Sequence, residues 1–133
     1  MSFGAPASTP RGRRPAHTDL CPCGRRPFGE CCGPVLDGGP AETAEDLMRS
    51  RYTAFTLGDE QHLWATWSPR TRPDDVTVDP DVEWTGLEIV SAAEDTVRFR
   101  AHWRDLRSGE RGVQEEHSRF LRRGGRWFYL SAL

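Results

Sequence analysis

Three observations predict an α+β fold: helical periodicity between residues 43 and 67, period-two alternation after Val82, and four cysteines gathered between residues 21 and 32. At 133 residues and 36% hydrophobic content, with five Trp, two Tyr and six Phe, the chain suits one domain with a real core and excludes wholesale disorder. No apolar run reaches the roughly 18 residues of a membrane span. Residues 1–20 lack a secretory-type apolar segment, so a soluble, cytoplasmic protein is expected.

Taken in order, residues 1–20 mix Gly, Pro, Ser and Arg without periodicity and read as a flexible tail. Residues 21–40 hold all four cysteines and four of the ten prolines, a segment that needs an external staple. Thr43 and Asp46 have capping-box spacing. Beyond them Ala44, Met48, Tyr52 and Phe55, with Leu47 beside them, share one face of a helix over 43–57, and Arg49 and Arg51 leave that stripe. Gly58 suits the left-handed residue that ends this helix, and Asp59 caps a second one carrying Leu63, Trp64 and Trp67, closed by Ser68-Pro69. Residues 69–81 read as a loop.

The remainder is β. Val97, Phe99, Ala101 and Trp103 alternate with Arg98, Arg100, His102 and Arg104, giving one apolar and one basic face. Trp84–Val90, Val113–Leu121 and Arg126–Leu130 supply three more strands, separated by turn-rich segments at 92–95, Ser108-Gly109 and Gly124-Gly125. A four-stranded antiparallel meander packed on the helices follows. The aromatics Trp64, Trp67, Trp84, Trp103, Trp127 and Phe128 read as core.

Charge is segregated although the net value is only −2. Residues 74–95 carry eight acids and no base, and residues 98–126 carry nine Arg against four acids, so a basic strand surface is expected to face an acidic one. All 18 basic residues are Arg, which excludes a lysine Schiff base, a lysine general base and a Walker-type phosphate lysine. Nucleophile-elbow, dinucleotide and metallohydrolase patterns are also absent from the sequence.

The spacing C-x-C-x7-C-C of Cys21, Cys23, Cys31 and Cys32 is the strongest chemical signal. Two close thiol pairs joined by a Gly-rich turn can wrap one Zn2+ tetrahedrally, with Arg25 and Arg26 placed to offset the charge of a tetrathiolate. Two disulfides, or a redox centre built on the C-x-C and C-C pairs, are the alternatives. On the zinc reading one structural ion per chain is expected.

Cys21-Pro22-Cys23-Gly24 followed by Cys31-Cys32 resembles the SEC-C motif, the zinc-binding tail of the bacterial protein-export ATPase. With Leu47-Met48-Arg49-Ser50-Arg51-Tyr52, Thr71-Arg72-Pro73, Ser118-Arg119-Phe120 and Gly125-Arg126-Trp127-Phe128-Tyr129, the chain resembles the YchJ-like family over residues 21–130. That resemblance implies a SEC-C-like zinc knuckle at 21–40 followed over 41–133 by a cone-shaped, nuclear-transport-factor-2-like domain, with two or three helices closing over a curved four-stranded antiparallel sheet. The chain departs from the family pattern in lacking the Ser-Gly of CPCGSGK, and in reading Gln114-Glu115-Glu116-His117-Ser118-Arg119-Phe120 where LHERSRF is common.

Two functions of different class follow as expectations. The first is a zinc-binding accessory or adaptor protein whose knuckle presents Arg25 and Arg26 to a protein or ribosomal partner, with nucleic acid a weaker option. The second is an enzyme or small-ligand carrier using the cone, with His102, His117 and Glu115 as pocket candidates, since neighbouring strands can bring them together. Parity puts His117 and Glu115 on one face and Glu116 on the other. Convergent polar groups in a deep cavity favour the second function, and a cone filled with aromatics favours the first. On either reading, metal loss is expected to loosen residues 21–40 and leave the cone folded.

Overall fold

A computed structural model describes residues 13–133, and the expected tail lies outside the described residues as far as residue 12. From residue 16 onward the chain is already tied down. Gly29 N donates to His17 O at 3.0 Å and Phe28 N to Asp19 O at 2.8 Å, so the tail ends short of Leu20. A 3-10 turn, Phe28–Glu30, leads into a short helix not foreseen from the sequence, α1 (Cys32–Leu36).

Helix α2 (Ala44–Leu57) begins as expected, with Thr43 Oγ1 accepting from Asp46 N at 3.0 Å. It ends at Gly58, whose φ of 72° is the left-handed conformation that disfavours a side chain. Asp59 then caps α3 (Glu60–Ala65) by accepting from His62 N. α3 stops two residues before Trp67, because Trp67 leaves the helix to form a parallel bridge with Tyr129. Trp64, expected in the core, is 41% exposed and carries the Arg72 guanidinium 3.4 Å above its ring.

The four strands are β1 (Val82–Ala92), β2 (Thr96–Asp105), β3 (Arg111–Arg123) and β4 (Arg126–Ala132), antiparallel and in the order β1-β2-β3-β4. Irregularities at Trp84/Gly86 and Ile89/Ser91 in β1, and opposite Arg119/Phe120 at Leu130 in β4, bend the sheet. Gly124 and Gly125, with φ of 60° and 78°, make the two-residue turn between β3 and β4.

Side-chain parity divides the sheet. Val97, Phe99, Ala101, Ser118 and Phe120 are buried beneath α2, which packs on β1, β2 and β4. The opposite face carries a ladder of paired charges: Glu83 with Arg104, Glu88 with His102 and Arg100, and Glu115 with Arg98 and Arg100. The basic face of β2 is thus met by acids of β1, as the charge segregation implied, and by Glu115 of β3. Among the described residues, no helix is long and apolar enough to cross a membrane.

Candidate functional site

The first site is the thiol cluster. A bridge between Leu20 and Pro27 folds the segment back so that Cys21 and Cys23 meet Cys31 and Cys32 from the start of α1. All four are buried free thiols, and their sulfurs lie within 4.8 Å of one another. The Cys23 and Cys31 sulfurs are 3.4 Å apart, well beyond the about 2.05 Å of a disulfide. That spread matches the roughly 3.8 Å between sulfurs around a tetrahedral ion with bonds near 2.3 Å. Hydrogen bonds from Cys23 and Cys32 pull the Cys21 thiol far below its ordinary range, to about 3. Contacts with Cys21 and Cys23, together with burial, push Cys32 up. Four crowded sulfurs cannot all ionise without a cation among them, so the donor set fits a metal ion.

Cations from two elements surround the cluster. Arg25 lies 2.7 Å from Asp46 and 3.9 Å from the Cys31 sulfur, while Arg49 pairs with Glu45 and donates to Cys23 O at 3.2 Å. The charge-offsetting pair is therefore Arg25 and Arg49. Arg26 is exposed. Arg49 left the apolar stripe because it faces the knuckle instead, as does Thr53, whose Oγ1 sits 3.7 Å from the Cys21 sulfur.

Between α2 and the sheet is a partly open cavity of about 320 Å3, walled by Met48, Arg51, Tyr52 and Phe55 of the helix. Trp67 and Tyr129, in edge-on contact with each other, line it beside Arg51, and Phe99, Ala101, Glu116 and Ser118 of the sheet form the floor. His102, His117 and Glu115 are not part of this wall. They point to the outer face, where His102 meets Glu88, His117 meets Arg98, and Glu115 meets Arg98 and Arg100. Strand parity is the reason, and it corrects the expected pocket set to Glu116 and Ser118, the residues of opposite parity on β3.

Arg51 is the residue that sequence periodicity missed. It is 6% exposed, donates through Nη1 to Leu63 O and Thr66 Oγ1, and lies 4.7 and 5.4 Å from the ring centres of Tyr129 and Trp67. Burial lowers its pKa from 12.5 to about 10, which leaves it charged at neutral pH. Glu116 Oε2 accepts from Tyr129 OH at 3.0 Å and from Ser118 Oγ. Burial, then the nearby Glu116 charge, raises the Tyr129 pKa and keeps that hydroxyl protonated. The cone is therefore neither empty of chemistry nor filled by aromatics.

Comparison with known proteins agrees with both halves. The family described as "YchJ, middle NTF2-like domain" matches residues 43–132. A UPF0225 protein of Chromobacterium violaceum is 46% identical over 125 residues, covering 85% of this chain and 91% of that one. A UPF0225 protein of Streptomyces coelicolor is 46% identical over 121 residues, covering 84% and 93%. Among solved structures, a SEC-C motif-containing protein from Rhodopseudomonas palustris superposes with a TM-score of 0.72 at 28% identity, covering 87% of this chain and 97% of that chain. One from Psychrobacter arcticus, at 23% identity and a TM-score of 0.65, shares the fold, with 86% and 82% covered. The chain belongs to the UPF0225 family, and in it a cysteine cluster precedes a YchJ-type NTF2-like domain.

Proposed function

We propose that this protein binds a small organic molecule in the cone, and that the thiol cluster holds a structural Zn2+ that clamps the outer face of the helix forming the cavity wall. The observation that carries the reading is the cavity itself, where Arg51 and the Glu116–Tyr129–Ser118 cluster converge on one apolar space of about 320 Å3. A space near the lower end of the roughly 300–1,000 Å3 typical of ligand pockets suits a molecule built on a single ring. Zinc is the ion best matched to four thiolates in a site without an open position, and elemental analysis should return about one zinc per chain.

The adaptor surface expected on the knuckle drew on Arg11, Arg13 and Arg14 of the preceding segment as well as on Arg25 and Arg26. Arg11 lies outside the described residues, Arg25 is turned onto Asp46 and Arg14 onto Asp37, which leaves Arg13 and Arg26 as separate exposed arginines, and solvated arginines of that kind supply little affinity.

The test is a fragment screen read by amide and side-chain NMR shifts. Single-ring fragments should move resonances of α2, β2 and β3 that border the cavity. Ala101→Leu, which pushes three extra side-chain carbons into that space, should abolish the shifts while the protein still melts cooperatively. Shifts confined to the knuckle or the outer sheet face would sink the reading.

A further inference from the structure

The hydrogen-bond inventory of the cavity decides what kind of molecule it suits, an inference resting on the ligand-binding reading above. Ser118 and Tyr129 each have one hydroxyl proton, and both donate it to Glu116 Oε2. Neither retains a proton for a ligand. Glu116 is in turn stabilised by those two donors, and no ion pair within 4 Å joins it to Arg51 among the described residues.

Arg51 is in the opposite condition. Among the described residues its hydrogen bonds run through Nη1 alone, both to neutral oxygens, so Nη2 and Nε remain without an acceptor. The Trp67 ring lines the cavity beside Arg51, and its indole N–H is buried without a hydrogen-bond partner just behind that surface. Burial of the guanidinium is offset through space by Glu116 and by the Tyr129 and Trp67 rings, with no carboxylate in contact, and the buried indole N–H without an acceptor adds to the cost. Everything unmet at this end is a donor beside a positive charge, so the complement is an anionic acceptor.

The charge and shape of that acceptor follow from the rest of the wall. A planar guanidinium matches a planar carboxylate in two parallel hydrogen bonds. The Glu116 carboxylate on the floor disfavours a second negative charge, which argues against a phosphate dianion. Aromatic rings from Tyr52, Phe55 and Phe99 line the space beyond and suit a flat apolar body. We propose that the cavity binds a ring-bearing monocarboxylate, its carboxylate gripped by Arg51 beside the Trp67 indole and its ring lying against the aromatic wall.

The probes are benzoate, benzamide, benzylamine and phenyl phosphate, titrated into the full chain while indole N–H, arginine Nε–H and methyl signals are followed. Benzoate should shift the Trp67 indole and cavity signals saturably, at least roughly tenfold more tightly than its neutral isostere benzamide, since a charged hydrogen bond is lost in the amide. Arg51→Gln should weaken benzoate by a similar factor. Because Arg51 also tethers α3, Trp67→Phe gives an independent reading: it keeps an aromatic ring beside Arg51, removes the N–H with the pyrrole half of the indole, and should weaken benzoate several-fold. Glu116→Gln removes the opposing charge and should tighten benzoate a few-fold.

Benzamide or benzylamine entering the cavity as tightly as benzoate would overturn the assignment of the ligand's charge and leave the ligand-binding reading standing. Phenyl phosphate binding more tightly than benzoate, or Glu116→Gln weakening benzoate, would overturn the monocarboxylate. No saturable shift at the cavity with any of the four would overturn both this inference and the function it deepens.

Discussion

His62 lies in the wall between α2 and α3, 8% exposed, with Nε2 3.0 Å from Ser50 Oγ. Ser50 gives its only hydroxyl proton to Leu47 O, so Nε2 is the protonated nitrogen and donates to Ser50. Burial first, then the Arg51 charge, lowers the His62 pKa from 6.5 to about 4. The unfolded chain therefore binds a proton that the folded chain refuses between those values. Stability is whole above about pH 6.5 and is lost as the pH falls toward 4, by up to about 3 kcal/mol if His62 acts alone. Denaturant unfolding at pH 7 and pH 4.5 should show this loss in the wild type. His62→Gln, whose amide still donates to Ser50, should lower stability at pH 7 and flatten the pH dependence. An unchanged slope in that variant would assign the acid sensitivity to other groups.

At the scale of the elements, β3 is shaped by one missing side chain. Gly112 sits opposite Trp103, and a Cβ there would lie 2.3 Å from Trp103 Cζ2, so the indole rests directly on the neighbouring strand's backbone. Gly112→Ala must displace that ring and should lower stability by roughly 1–3 kcal/mol in denaturant unfolding. In a Trp103→Leu background the same change should become neutral or favourable, because Ala suits a strand better than Gly. Equal losses in the two backgrounds would show that the indole is not what requires glycine. The strands themselves were legible because Val97, Phe99 and Ala101 alternate with Arg98, Arg100 and His102. The same parity already placed Glu116 opposite Glu115 and His117. What it does not state is which face the helices cover, and titratable side chains drew attention to the wrong one. The thiol cluster was legible for a simpler reason, its members being the chain's only cysteines, grouped at close spacing. Arg51 was not, because a single apolar stripe describes a helix with one buried face. α2 has two, one on the cavity through Met48, Arg51, Tyr52 and Phe55, the other on the knuckle through Arg49 and Thr53.

That double burial makes α2 the joint of the whole molecule. The four cysteines, Phe28 and Leu36 belong to the same buried cluster as Leu47, Val97 and Phe120, so the core runs from the knuckle through α2 to the sheet without a break. The sequence alone suggests that metal loss loosens residues 21–40 and spares the cone. The contacts of Cys21 with Thr53, Cys23 O with Arg49 and Arg25 with Asp46 argue for a different boundary. A structural metal contributes folding free energy to whatever its ligands hold in place, and on the zinc reading proposed above that includes the helix roofing the cavity. Amide exchange after chelation under reducing conditions should therefore show protection falling in residues 19–36 and along α2. The centre of β2 and β3 should keep most of its protection, because the sheet's hydrogen bonds do not pass through the knuckle. Benzoate affinity should fall in step with the loss in α2, and zinc should restore both together. Protection retained throughout α2, with loss confined to the knuckle, would mean that the cavity wall stands without the clamp.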